Sequence, residues 1–134
     1  MSALSGNITR TLVCGLLERD GKALFLLRTD EHGNDRLELP HVFSNSRSDP
    51  LNQIASAFTM QTSVKVHTGA MVFESQFNDG TDANPQLAPA YAFRMIAEDE
   101  KVVPATYFSG YKWLSLEDAK KKNLATTMEW IRKL

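Results

Sequence analysis

Carboxylates and histidines are the residues of this chain that could do chemistry, so we first ask whether any of them cluster. The chain has 16 acidic residues, 15 basic residues, three histidines and one cysteine. His32, His41 and His67 lack the paired spacing of zinc ligands, and one cysteine excludes a thiolate cluster. The serine-centred turn of a hydrolase nucleophile is also absent. Spacing alone therefore indicates no catalytic residue and no metal ligand set.

The stretch from Leu39 to Val66 has the pattern of a helix set between two groups of strands. Asp49 is a good N-cap because its carboxylate can accept a free backbone N–H of the first turn. Pro50 suits the first helical position, where its missing N–H costs nothing. We expect the helix to end around Gln61 to Ser63. One stripe at helical spacing should pack on a sheet: Leu51, Ile54, Ala55, Phe58 and Thr62.

Two apolar segments before this helix predict a hairpin. Thr9 to Glu18 has apolar residues at both its odd and its even positions, which is typical of a central strand covered on both faces. Asp20-Gly21 favours a tight turn, and Ala23 to Arg28 returns as a second strand. We expect Phe43 to Ser48, whose Arg47 and hydroxyls could approach a phosphate, to be a flexible loop.

The second half of the chain alternates strands and loops before ending in helices. Ala70 to Phe77 predicts a half-exposed strand with Met71, Phe73 and Phe77 on one face. The segments that follow are a loop over Asn78 to Pro89, a strand over Ala90 to Ala97, a short helix over Ala119 to Lys122 capped by Ser115, and a last helix over Thr126 to Leu134 that buries Met128, Ile131 and Leu134. The order predicts an α+β fold, a mixed α/β/α sandwich with helices on both faces of the sheets.

Composition excludes several classes of function. A chain of 134 residues predicts a single domain over 1–134, and a net charge of −1 provides no basic field for a nucleic-acid polymer or a membrane surface. We see no signal-peptide pattern and no apolar run near the roughly 20 residues that cross a bilayer. With a single cysteine, Cys14, set in an apolar strand, these features predict a cytoplasmic protein.

Four features in order carry a resemblance to a known family. They are the hairpin VCGLLERDGKALFLLR, the Leu37-x-Leu39-Pro40 entry, the helix after it, and the Trp113 to Asp118 segment WLSLED. From about Thr11 to Leu134 the chain resembles the Nudix hydrolase family. The resemblance implies the Nudix fold, with mixed curved sheets, the signature helix on one side and the C-terminal helices on the other.

The family's catalytic signature is G-x(5)-E-x(7)-R-E-U-x-E-E-x-G-U, where U is a bulky aliphatic residue. Anchored on Leu39-Pro40, it lies over this chain without a gap. Its glycines fall on Val42 and Ser63, its arginine on Ser56, its two apolar positions on Phe58 and Val64, and its glutamates on Ser48, Ala57, Met60 and Gln61. Because Mg²⁺ needs anionic oxygen ligands, we expect none at this helix and do not transfer the family's pyrophosphohydrolase activity.

Three functional hypotheses remain. The leading one is a Nudix-fold domain that binds a nucleotide-like small molecule or a partner without metal-dependent hydrolysis. His41 takes the place of a family glycine and could contact an anionic ligand. By their positions after the strands and the loop, the candidate ligand-binding residues are Arg28, Glu38, His41, Phe77 and Tyr91.

The two alternatives use other residues. A divergent active hydrolase could hold metal with acids outside the signature, namely Glu38, Glu74 or Asp79. A self-associating module, expected because the family is often dimeric, would form a homodimer through an exposed apolar patch, for which Phe108, Tyr111 and Trp130 are the candidates. The ligand itself is set by variable loops, so the sequence does not name it.

Overall fold

Two β-sheets with helices packed against them make up the computed structural model, which describes residues 10–45, 49–98 and 100–134. The strands are β1 (Thr11–Leu16), β2 (Glu18–Arg19), β3 (Lys22–Thr29), β4 (Asp35–Glu38), β5 (His41–Ser44), β6 (His67–Asn78), β7 (Leu87–Ile96) and β8 (Gly110–Leu114). The helices are α1 (Pro50–Thr62), α2 (Leu116–Ala119) and a final 3₁₀ helix (Thr126–Lys133). Arg47 and Ser48, two residues of the predicted loop and signature, lie outside the described residues.

The first sheet has the strand order β5-β1-β7-β6 and mixes strand directions. β1 pairs antiparallel with β5 and parallel with β7, and β6 pairs antiparallel with β7. In the second sheet β3 pairs antiparallel with β2, β4 and β8. The predicted α+β class is confirmed. In the described part of the chain no helix has the length and apolar character needed to cross a membrane.

Helix α1 covers one face of the first sheet. Asp49 caps it by accepting the backbone N–H of Leu51 at 3.0 Å, and Ser63 ends it in the left-handed conformation with φ 66°. Ile54 and Phe58 are fully buried among Val13, Phe93 and Met95. The other face of this sheet is covered by the final 3₁₀ helix through Met128, Trp130 and Ile131. The predicted placement of helices on both sides is confirmed.

Gly15 in β1 lets α1 approach the sheet closely. A Cβ atom at Gly15 would lie 2.7 Å from Cδ2 of the Phe58 ring and 3.0 Å from Cγ of Met95. Real Cβ atoms do not approach other carbons this closely, so the absence of a side chain at Gly15 sets how deeply Phe58 sits.

Two strands differ from their predicted extents. β5 extends through Phe43 and Ser44, into the predicted loop over Phe43 to Ser48, because it pairs with β1 from Thr11↔Ser44 to Cys14↔His41. β7 begins at Leu87, within the predicted loop, and includes Pro89. Pro89 is tolerated there because the ladder to β1 starts only at the next residue, Ala90.

Three predicted burials are wrong. Met71 is 47% exposed because register shifts between Thr68 and Phe73 break the regular alternation of β6. Leu51, in the first turn of α1, is 44% exposed and lies outside both apolar clusters. Leu134 is 37% exposed, because the last segment is a 3₁₀ helix that turns Trp130, not Leu134, into the core.

Replacing Phe58 by Ala should lower the free energy of unfolding by about 3–5 kcal/mol, since it empties a fully buried ring site under α1. The matched control is Met60→Ala on the same helix, where the side chain is 75% exposed and the expected change is about 0.5 kcal/mol or less. Urea unfolding followed by circular dichroism measures both. Equal losses in the two variants would show that the buried face of α1 has been misassigned.

Candidate functional site

The signature face of α1 carries neutral side chains. Ser56, Ala57 and Met60 line a hollow of about 360 Å³ together with Val42, Asn52 and Gln53. No carboxylate lines this hollow. Across residues 10–45, 49–98 and 100–134, no three His, Cys, Asp or Glu side chains come together in a way that could hold a metal ion. Ser48, the remaining signature position, lies outside these ranges.

Gln61 occupies the position of the last family glutamate, and its side chain is used to link elements. Its Nε2 donates to the backbone oxygen of His41 at 2.8 Å, and its Oε1 accepts from the backbone N–H of His41 at 3.2 Å. Its backbone oxygen accepts from the N–H of Ala105 at 3.0 Å. An ionised carboxylate at this position could accept from the His41 N–H but could not donate to its carbonyl. Gln61 therefore fastens α1 to β5 and to the segment before β8.

Glu38 is a buried carboxylate, with its side chain 3% exposed, at the end of β4. Nε of Arg28 donates to Oε1 at 2.6 Å and Nη2 donates to Oε2 at 3.4 Å. This hydrogen bonding to Glu38 raises the pKa of Arg28 above its ordinary value. Nδ1 of His41 lies 3.3 Å from Oε2 on the other side of the carboxylate. One carboxylate thus holds both an arginine and a histidine.

A line of aromatic rings leads away from Glu38. The His41 and Phe43 rings meet edge to face at 5.5 Å between centroids, and Phe43 and Phe77 lie 5.9 Å apart. The Arg10 guanidinium lies 3.8 Å above the Phe43 ring. We refer to this group as the Glu38 cluster: Arg10, Arg28, Glu38, His41, Phe43 and Phe77. Rings and cations side by side are the chemistry that binds planar and anionic groups.

The Glu38 cluster unites four of the five residues proposed from the sequence and leaves out Tyr91. Along β7, Ala90 and Ala92 face the same side of the sheet as Phe77, whereas Tyr91 points to the opposite side and packs with the apolar cluster under α1. Sequence reasoning missed Arg10 and Phe43. Phe43 follows His41 by two residues, so it would have been found had β5 been predicted as a strand.

Aromatic residues also flank Arg28 from the segment before β8. The guanidinium lies 5.5 Å from the Tyr107 ring and 4.8 Å from the Phe108 ring. Phe108 and Trp130 are buried, at 7% and 3% exposed, so only Tyr111, at 39%, is exposed among the residues suggested for a self-association patch. The patch as predicted is wrong because two of its three residues belong to the interior.

The acids suggested for a relocated metal site do not converge. Glu38 is paired with Arg28, and Asp79 is paired with Arg10 at 2.6 Å. The hydrogen bond from Arg10 lowers the pKa of Asp79 below its ordinary range. Glu74 is exposed on β6. Two of the three carboxylates are therefore already neutralised by arginine.

Two larger hollows lie beside α1 and beside Phe77. The first, of about 980 Å³, lies between α1 and residues 65–67, 96–98 and 100, and none of the proposed ligand-binding residues is among the described residues that line it. The second, of about 460 Å³, lies between the β6–β7 loop and the final helix and is lined by Phe77, Gln76 and Thr126 among others. Phe77 thus connects the Glu38 cluster to an open space, and we take that side as the candidate site.

Comparison with known proteins identifies the architecture. No protein-family model and no curated protein matches the sequence. Among solved structures, the Escherichia coli ORF135 protein superposes with a TM-score of 0.72 at 15% identity, covering 98% of this chain and 91% of that chain. The MutT protein from Methanosarcina mazei Go1 gives 0.71 at 18% identity, covering 92% and 91%. The chain has the Nudix fold.

A third structure extends the comparison to a ligand complex. The Nudix domain of Shewanella oneidensis NrtR, complexed with ADP ribose, superposes with a TM-score of 0.62 at 17% identity, covering 92% of this chain and 84% of that chain. At such identities the likeness concerns the Nudix fold, and the predicted fold is confirmed.

Changing Gln61 to Glu should lower the free energy of unfolding by about 1–3 kcal/mol at pH 7, because a carboxylate cannot donate to the His41 carbonyl. The matched control, Gln76→Glu on the exposed side of β6, should cost about 0.5 kcal/mol or less. Urea unfolding measures the difference. A Gln61 variant as stable as the control would contradict the assigned link between α1 and β5.

The pairing of Arg10 with Asp79 can be tested by measuring the pKa of Asp79. Asp79 should titrate below the ordinary aspartate range, so its pairing stabilises the fold at neutral pH and is lost as pH falls through that lowered pKa. Arg10→Met should return the pKa of Asp79 towards its ordinary value. Carbon-detected NMR of the carboxyl group follows both titrations, and an unchanged pKa in the variant would contradict the pairing.

Proposed function

We propose that this Nudix-fold protein binds a nucleotide-like ligand in the cytoplasm and does not carry out metal-dependent pyrophosphate hydrolysis. The observation that carries the proposal is the use of Gln61. The position of a metal-binding glutamate in the family signature holds an amide, and that amide is bonded on both sides to the His41 backbone. Ser56, Ala57 and Met60 supply no anionic oxygen beside it.

The Glu38 cluster supports the ligand part of the proposal. The Arg28 side chain is 48% exposed, and only Nε and Nη2 are used by Glu38 within the described residues, which leaves Nη1 for an anionic group. A guanidinium is well suited to phosphate oxygens. The hollow of about 460 Å³ beside Phe77 has room for a planar base and its sugar.

Neutralised acids weigh against the alternative of an active hydrolase with relocated ligands. To coordinate Mg²⁺, Glu38 and Asp79 would have to leave Arg28 and Arg10. For Glu38, whose side chain is buried, breaking the pair leaves an uncompensated charge. Among the described residues, Glu74 belongs to no group of three His, Cys, Asp or Glu side chains that could hold a metal ion. Formation of a homodimer stays a prediction for light scattering to decide.

Calorimetric titration with ADP, ADP ribose and diadenosine tetraphosphate, each with and without Mg²⁺, tests the proposal together with an assay of phosphate release. We expect at least one of these compounds to bind with an affinity that does not depend on Mg²⁺, and none to be hydrolysed above the rate without protein. Mg²⁺-dependent turnover of any of them, absent from a preparation carrying Glu38→Gln, would establish the relocated-acid hydrolase instead.

Replacing Arg28 by Ala should weaken binding of the tightest compound about 10- to 100-fold, since it removes a charge-assisted hydrogen bond to the ligand. The matched control is Arg94→Ala, which removes an exposed arginine of β7 paired with Glu18 outside the Glu38 cluster. Its dissociation constant should stay within about twofold of the wild type. Equal weakening in both variants would show a general charge effect and not a site at Arg28.

A further inference from the structure

The two ring nitrogens of His41 have different surroundings. Nδ1 lies 2.8 Å from the backbone oxygen of Leu39 and 3.3 Å from Oε2 of Glu38. Nε2 has no hydrogen-bond partner among the described residues, and it is not a fully buried atom. Solvent therefore reaches Nε2. One nitrogen is anchored in the protein and the other is open.

The partners of Nδ1 decide which nitrogen carries the proton. A backbone carbonyl has no proton to donate, and the Glu38 carboxylate, already accepting from Arg28, is an acceptor as well. Nδ1 must therefore be the donor. In the neutral imidazole this leaves the lone pair on Nε2, so the open nitrogen of His41 is a hydrogen-bond acceptor.

The same carboxylate places this acceptor beside a cation. Glu38 accepts from Arg28 through both carboxylate oxygens, and its Oε2 also lies 3.3 Å from Nδ1 of His41. The edge-to-face contact with Phe43 restrains the imidazole ring. When the imidazole is neutral, the site presents a cationic donor at Arg28 and an acceptor at Nε2 of His41, separated by one carboxylate. A hydroxyl donor fits that lone pair better than the anionic group suggested from the sequence.

We infer that His41 is a specificity-determining residue that accepts a hydrogen bond from a hydroxyl lying next to the ligand's phosphate. The inference rests on the proposed ligand binding at Arg28. It narrows the class of ligand to phosphate esters of a sugar. Inorganic phosphate and pyrophosphate lack such a neighbouring hydroxyl. In a nucleotide the donors nearest to the phosphate are the ribose hydroxyls, and the base lies farther away.

Comparing ADP with 2′,3′-dideoxy-ADP by calorimetry at pH 8 without Mg²⁺ tests the inference in the wild-type protein. We expect ADP to bind about 5- to 10-fold more tightly, the effect of one hydrogen bond to a neutral acceptor. His41→Phe, which keeps a ring against Phe43 but has no acceptor, should bind the two compounds equally. His41→Gln, which restores an acceptor oxygen, should recover part of the preference.

The outcomes distinguish the role of His41 from the proposed ligand binding at Arg28. If ADP binds, Arg28→Ala weakens it and the wild type shows no preference over the dideoxy compound, the role of His41 is overturned while ligand binding stands. A preference that persists in a folded His41→Phe variant, as judged by thermal melting, also overturns it. If the wild type binds neither compound, the ligand-binding proposal fails and the inference fails with it.

Discussion

A carboxylate removed from water must be neutralised and hydrogen bonded, and the candidate site is arranged around one such group. Glu38 is 2% exposed at the end of β4. Glu38 accepts from the Arg28 guanidinium and lies against Nδ1 of His41, whose ring is also bonded to the Leu39 carbonyl. The orientation of these two side chains follows from how the buried charge is satisfied.

Helix α1 is held in the fold from two sides. Its apolar side, with Ile54 and Phe58, still packs on β1 and β7, and Gly15 still leaves room for it. On its other side Gln61 joins the helix to β5 by two hydrogen bonds. These two bonds connect the Gln61 side chain directly to the His41 backbone of β5. Both sides of α1 therefore make contacts that hold the helix in the fold.

Local signals in the sequence were sufficient for much of the fold. The Asp49 cap, Pro50 and the spacing of Ile54 and Phe58 fixed the extent and the buried face of α1, because those features act within a few residues. Strand β5 was missed because its four residues acquire their structure from pairing with β1, a contact distant in sequence. The bulge that exposes Met71 and the 3₁₀ geometry that buries Trp130 have the same origin in tertiary contacts.

The site was predictable to a similar degree. Arg28, Glu38 and His41 were named from their positions at strand ends, and the fold brings them together around one carboxylate. Tyr91 lies on the other face of the sheet from the Glu38 cluster, because a position in a strand does not say which face the residue occupies until its register is known. Arg10 could not be found from sequence, since its partners Phe43 and Asp79 come from distant strands.

The central claim is that the signature face of α1 binds no divalent metal, and paramagnetic relaxation by Mn²⁺ tests it without reference to any substrate. Amide signals of the ¹⁵N-labelled protein are recorded during addition of substoichiometric Mn²⁺. The account predicts no selective broadening of the amides from Ser56 to Gln61 relative to the rest of α1. Selective loss of those signals would place a metal at this face and contradict the account.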